Sequence, residues 1–190
     1  MRNRKLESDF QLTEIFEIET ESVISDDEAT DIFIQRLYDI GWIIMLFNAL
    51  EGAVNSAVDK ALDPQERRSE INHLLISEMN FSAKVSFIIR HYGMLIYNDD
   101  RFEELIAEME ILEKKLRDAG TIRNIYAHAN YGATINEKYI QVKTKAKRNG
   151  VFYDYMRFEK DDVKSDQELI INARESLENF NEKFWNKIFM

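Results

Sequence analysis

The sequence contains no cysteine. That excludes a disulfide scaffold, a thiolate metal site and a cysteine nucleophile, and it fits a reducing compartment. Histidine is scarce as well. The three imidazoles, His73, His91 and His128, are scattered and give no metal-ligand spacing, so neither a metal nor a cofactor is expected. There is no Gly-rich phosphate loop and no Gly-x-Ser-x-Gly elbow. Long apolar runs are missing too. The most hydrophobic stretch, Ile40 to Leu50, covers eleven residues, whereas a membrane-spanning helix needs about 20. It reads as a buried helix turn or a subunit interface. Met1 to Phe10 carries charges with no apolar stretch behind it, so no signal peptide is expected. The expectation is a soluble, cytoplasmic protein with no membrane partner.

Apolar residues make up 45% and charged residues 32% of the 190 residues, a globular balance with enough chain for one domain and its core. The net charge of −10 is uneven, because residues 1–31 alone carry −7. Residues 1–26 read as an acidic N-terminal arm, and residues 27–190 as a single helical domain. Against the acidic background, Lys138, Lys143, Lys145, Lys147 and Arg148 form a run without a single acid. Such a patch can meet phosphates locally, although long-range steering of nucleic acid would be poor.

Helical spacing dominates the chain. Ile32, Leu37, Ile40, Ile44, Phe47, Leu50 and Val54 place one stripe on a long helix from Asp27 to about Leu62. Around Trp42 to Phe47 that helix is apolar on every side and calls for cover all round. Asp63-Pro64-Gln65-Glu66 reads as the start of a second helix, with Ile71, Leu74, Leu75 and Met79 inward. The helix re-starts at a Ser82 cap and stops at Gly93, which makes His91 a cation at a helix C-terminus. Leu105, Met109, Leu112 and Leu116 mark a third helix from about Arg101 to Ala119. Gly120-Thr121 interrupts it before a short helix, Ile122 to Tyr131, closed by Gly132. Residues 139–158 alternate instead, and Asn149-Gly150 predicts a β-hairpin with Lys145 opposite Asp154. A capping box from Ser165 to Glu168 opens the last helix, with Leu169, Ala173, Leu177, Phe180, Phe184 and Ile188 inward.

The short helix concentrates chemistry. At about 100° per residue, Ile122, Ile125, Tyr126 and Ala129 form a buried stripe, while Asn124, His128 and Tyr131 share the opposite face. Arg123 lies to one side, and its long side chain can swing round. An imidazole moves protons near neutral pH, and a guanidinium grips a phosphate bidentately. Those are the parts needed to cleave a phosphodiester.

Arg123-Asn124-Ile125-Tyr126-Ala127-His128 resembles the Arg-x4-His motif of HEPN domains in its form Arg-Asn-x-x-Ala-His. The order of elements is similar too, and Met79-Asn80-Phe81-Ser82-Ala83-Lys84 resembles the break in the second helix of some members. The resemblance implies a mainly all-α fold, an antiparallel four-helix HEPN-like bundle with one β-hairpin before the last helix. It also implies a metal-independent endoribonuclease of microbial defence or stress response. The RNA 2′-hydroxyl would attack and a 2′,3′-cyclic phosphate would be left. On that reading His128 is general acid or base, Arg123 the phosphate clamp and Asn124 the orienting polar residue. Many members carry a tyrosine two residues after the histidine. Here that place is Asn130, so the role of Tyr131 stays open. Lys143, Lys145, Lys147 and Arg148 are the candidate RNA contacts. RNA, a second copy of the chain in a homodimer, and an antitoxin or regulatory protein are the expected partners. The alternative is a non-catalytic HEPN-like module that binds nucleotide, RNA or protein. A second match to the spacing, Arg68 to His73, lacks the Asn and the Ala and lies opposite the Ile71, Leu74, Leu75 stripe, so it reads as coincidence.

Overall fold

The computed structural model describes residues 26–65, 70–127, 130–133, 139–147, 150–158 and 160–189. The acidic arm, apart from Asp26, lies outside them. The described chain is mostly helical, with α1 (Asp26–Leu62), α2 (Glu70–Glu78), α3 (Phe81–Ile96), a 3₁₀ turn (Asp100–Phe102) and α4 (Leu105–Ala127). Strands β1 (Asn130–Ala133), β2 (Tyr139–Lys147) and β3 (Gly150–Phe158) precede α5 (Lys160–Phe189). The chain divides into two compact units, one of Met1–Ile43 with Asn124–Asp166, the other of Ile44–Arg123 with Gln167–Met190.

In the second unit, the spacings of three and four in Phe47, Leu50, Val54, Ala57, Val58 and Ala61 keep one face of α1 buried. Leu105, Met109, Leu112 and Leu116 of α4 are buried, as are Ala173, Leu177, Phe180 and Phe184 of α5. An aromatic cluster ties α3 to α5. Tyr92 lies 5.1 Å from Phe180 and 4.6 Å from Phe184, and its hydroxyl donates to Asn181 Oδ1. Ring pairs in such geometry add to the burial of their large areas. Burial also pushes the Tyr92 phenol well above its ordinary pKa.

Several sequence expectations change here. Gly120 does not interrupt a helix, because α4 runs unbroken from Leu105 to Ala127. A Cβ at Gly120 would stand 3.1 Å from the Phe81 ring, so the glycine admits that ring rather than ending a helix. Gly93 likewise stays inside α3, which continues to Ile96. The cap of α3 is Asn80, not Ser82, and its side chain accepts from the Ala83 N–H at 2.9 Å. Ser165 lies within α5, which already begins at Lys160. The helix expected from Asp63 is described only over α2. Asp63 itself closes α1 through its N–H on the Asp59 carbonyl (2.8 Å) and accepts from the Gln65 N–H at 3.3 Å.

The face of α2 is also reversed. Asn72 and Ile76 are buried, whereas Ile71, Leu74 and Leu75 are 66%, 66% and 52% exposed. Similarly, α1 is not covered all round, since Trp42 and Met45 are 39% and 62% exposed. By length and composition, one stretch among the described residues, Leu37–Leu62, could cross a membrane. A core helix passes the same test.

In the first unit, the strands form a three-stranded antiparallel sheet in the order β1-β2-β3. Asn130 and Tyr131, expected at the end of a helix closed by Gly132, therefore lie in a strand. The register also differs from the expected one, because Lys143 pairs with Asp154 and Lys145 with Phe152. Gly150, expected in the turn, is the first residue of β3 and pairs with Lys147.

Candidate functional site

The candidate residues fall on the last turns of α4 and the strands after it. Arg123 and Asn124 are helical, Asn124 exposed and Arg123 half-buried. His128 follows the last helical residue, Ala127, and lies outside the described residues, as does Arg148. Tyr131 is in β1, paired with Gln141, so it does not continue the helical face of Asn124. Lys143, Lys145 and Lys147 occupy alternate positions of β2.

Arg123 is positioned by packing in its own unit. Its guanidinium carbon sits 5.7 Å above the Phe47 ring, and Phe47 packs against Phe81 at 4.7 Å between centroids. Phe81 in turn fills the space left by Gly120. A cation over an aromatic face gains from the ring quadrupole. The glycine expected to break the helix therefore serves the arginine one turn further on.

Within the other unit, Tyr126 is 2% exposed and donates its hydroxyl hydrogen to Asp166 Oδ2 at 2.8 Å. Asp166 is itself buried. A buried charge-assisted bond of this kind holds the end of α4 against the first turns of α5. Nothing in the local pattern marks Asp166 as an anchor, since it lies inside the Ser165 to Glu168 capping-box pattern. Tyr126 was legible only as an apolar position.

His91 departs from its expected role. It lies five residues before the end of α3, with its ring 6.4 Å from Phe87, 6.2 Å from Tyr92 and 6.1 Å from Trp185. Its Nε2 is buried without a partner, and burial lowers its pKa. Desolvation penalises the charged form, so His91 is a neutral packing residue rather than a helix-end cation.

His73 is exposed, and the apolar stripe once placed behind it faces solvent too. Together with Asn55, Ser56, Asp59, Ile76, Ser77 and Lys84 it lines a cavity of about 300 Å³. Among the described residues no group of three or more His, Asp or Glu converges as a metal site would require. Comparison with protein-family models, with curated proteins and with solved structures returns no match for this chain.

Proposed function

We propose that this chain is a metal-independent endoribonuclease of HEPN type. The observation that carries the reading is the six-residue sequence Arg123-Asn124-Ile125-Tyr126-Ala127-His128 at the end of α4. In the reaction, the RNA 2′-hydroxyl loses its proton to an imidazole and attacks the adjacent phosphorus. The bond from phosphorus to the 5′-oxygen breaks, and the leaving oxygen takes up a proton. Arg123 neutralises charge on the non-bridging oxygens, His128 moves protons, and Asn124 orients the phosphate. The basic alternation Lys143, Lys145, Lys147 with Arg148 holds RNA backbone.

The active form is a homodimer that pairs two copies of the motif. One imidazole per chain cannot be base and acid at once, and Arg123 and His128 diverge by about 140° on an ideal helix. Pairing about a two-fold axis supplies both, and such isologous contacts are the commonest in homo-oligomers. Exposed Ile34, Leu37, Tyr38, Trp42 and Met45 on α1 offer apolar surface to a second copy. On this reading the helices form an antiparallel four-helix arrangement in a cytoplasmic protein of microbial defence or stress response, held in check by an antitoxin or regulatory protein.

One observation favours a second reading, a non-catalytic HEPN-like module that binds nucleotide, RNA or protein. Arg123 is half-buried and already engaged by Phe47, as an arginine with a packing role would be. Incubation of the protein with total RNA and a chelator separates the two. Cleavage by the wild type that disappears in His128→Ala supports the ribonuclease. RNA binding without cleavage supports the module.

A further inference from the structure

The register of the sheet sorts its residues onto two faces. Residues directly opposite across antiparallel strands share a face, and so do residues two apart along a strand. On one face β2 contributes Tyr139, Gln141, Lys143, Lys145 and Lys147. Opposite them on β3 stand Phe158, Met156, Asp154, Phe152 and Gly150, in that order. β1 adds Tyr131 opposite Gln141 and Ala133 opposite Tyr139. Tyr153 and Tyr155 belong to the other face, opposite Thr144 and Val142. The whole sheet lies within one unit of the chain.

The first face has two ends. One is aromatic, with Tyr139 paired to Phe158 and Tyr131 in the next row. The other is basic, with three lysines at alternate positions and Phe152 opposite the middle one. Asp154 is the one acid among the described residues of this face, in a chain whose net charge is −10. Successive lysines stand about 6.8 Å apart, two residues at about 3.4 Å each. Like charges at that spacing repel, and a row of anions relieves them better than a single one. Lysine also guards unpaired strand edges, and β1 pairs with β2 only as far as Val142. Edge protection has no use for an aromatic residue among the lysines, whereas a polynucleotide does. Cations track its backbone, and aromatic rings stack its bases whatever their sequence. Bases are free to stack on protein only where they are unpaired. β2 and β3 each run nine residues, about 30 Å at about 3.3 Å per residue, which is room for several nucleotides.

We propose that this face of the sheet binds single-stranded RNA, with Lys143, Lys145 and Lys147 along the backbone and Phe152, Tyr139 and Phe158 as platforms for unpaired bases. The choice of RNA rests on the ribonuclease reading above, whereas the preference for a single strand rests on the face itself. β1 begins at Asn130, soon after α4 ends at Ala127, so the aromatic end follows the motif directly in the chain.

The test is fluorescence anisotropy with full-length His128→Ala protein, in which the RNA stays intact. The probes are a short labelled RNA strand, its RNA duplex, a DNA strand of the same sequence and poly-L-glutamate. The RNA strand should bind at least as tightly as the DNA strand and more tightly than the other two. Phe152→Leu should weaken it about fivefold or more, the loss of one stacked base, while Phe152→Tyr keeps the affinity. Lys143→Gln, Lys145→Gln and Lys147→Gln together should flatten the slope of log affinity against log salt by about 2, at about 0.7 for each phosphate contact. Far-UV dichroism checks that the variants fold. Crosslinking of 5-iodouridine RNA to protein with an unsubstituted sheet, mapped by mass spectrometry, decides the matter without them. Adducts on β2 and β3 support the proposal, and adducts confined to the helices overturn it. It is also overturned by tighter binding of DNA, by duplex or poly-L-glutamate bound as tightly as the RNA strand, or by wild-type affinity in the folded Phe152→Leu and lysine variants. A wild type that cuts RNA while its crosslinks avoid the sheet would sink this face and leave the ribonuclease standing. Crosslinks on the sheet without any cutting would do the reverse.

Discussion

The spacing Arg-x4-His occurs twice in this chain, and the two copies sit in different surroundings. Around the first, Arg68 to His73, the apolar residues Ile71, Leu74 and Leu75 face solvent, and His73 borders a polar cavity. At the second, Ile122 and Tyr126 are buried, Tyr126 is bonded to buried Asp166, and Arg123 rests on Phe47. A catalytic group must be held close to its working geometry, because misplacement costs rate steeply. At the second copy, Phe47 beneath Arg123 supplies such support. Spacing alone carries little, and the residues described around each copy differ.

The largest effect should separate the copies directly. In a cleavage assay, Arg123→Ala and His128→Ala should each reduce the rate about 10²- to 10⁴-fold, the usual loss for a proton-transfer or phosphate-stabilising group. His73→Ala should leave it unchanged. Equal losses at His73 and His128 would erase the distinction.

Next comes stability near the first copy. Lys84 is buried and held by Glu51 at 3.0 Å. Glu51→Ala leaves an ammonium buried with its partner gone, at a cost of about 3 kcal/mol in chemical denaturation. The double variant Lys84→Met with Glu51→Leu should recover most of that, because an apolar pair of similar volume replaces a desolvated ion pair. A Glu51→Ala protein as stable as the wild type would mean that Lys84 reaches water.

Beside the second copy, Tyr126→Phe removes the donor to Asp166 and should cost about 1–2 kcal/mol. It should also lower cleavage, since the end of α4 loses its tie to α5. Unchanged stability would show that the contact does not anchor the motif.

The third histidine belongs to neither copy and supplies a gentler control. His91 has a folded-state pKa lowered by burial, so the unfolded chain binds the proton more readily. Its contribution to stability is complete above the unfolded value of about 6.5 and shrinks as pH falls through that value toward the folded one. Denaturation midpoints measured from pH 8 to pH 5, about the range in which an unperturbed imidazole titrates, should fall in the wild type and flatten in His91→Leu. A midpoint that rises on acidification would contradict a neutral buried imidazole.

Parts of the fold were readable because the signal was redundant. Leu105, Met109, Leu112 and Leu116 repeat over three turns of α4, and Ala173, Leu177, Phe180 and Phe184 do so on α5, so each buried face follows from periodicity. The stripe on α2 was read on the wrong side. Spacing puts Ile71, Leu74 and Leu75 together but does not say whether anything covers them, and Asn72 and Ile76 face inward instead. Gly93 and Gly120 were misread for a related reason. Glycine ends a helix when the chain turns left-handed, but it also lets a ring approach, and Phe81 beside Gly120 is visible only in three dimensions. In the site, the motif could be found by eye, while Asp166 could not. Its partner, Tyr126, lies 40 positions away in the chain.

The central claim is a ribonuclease that works through a 2′-hydroxyl without metal. Its most direct test is the chemistry of the cut ends, read by mass spectrometry of a short defined RNA cleaved by the wild type in excess chelator. The account predicts 2′,3′-cyclic phosphate on one fragment and a free 5′-hydroxyl on the other, with neither formed by His128→Ala. Fragments ending in 3′-hydroxyl and 5′-phosphate, or cleavage that the chelator abolishes, would contradict it.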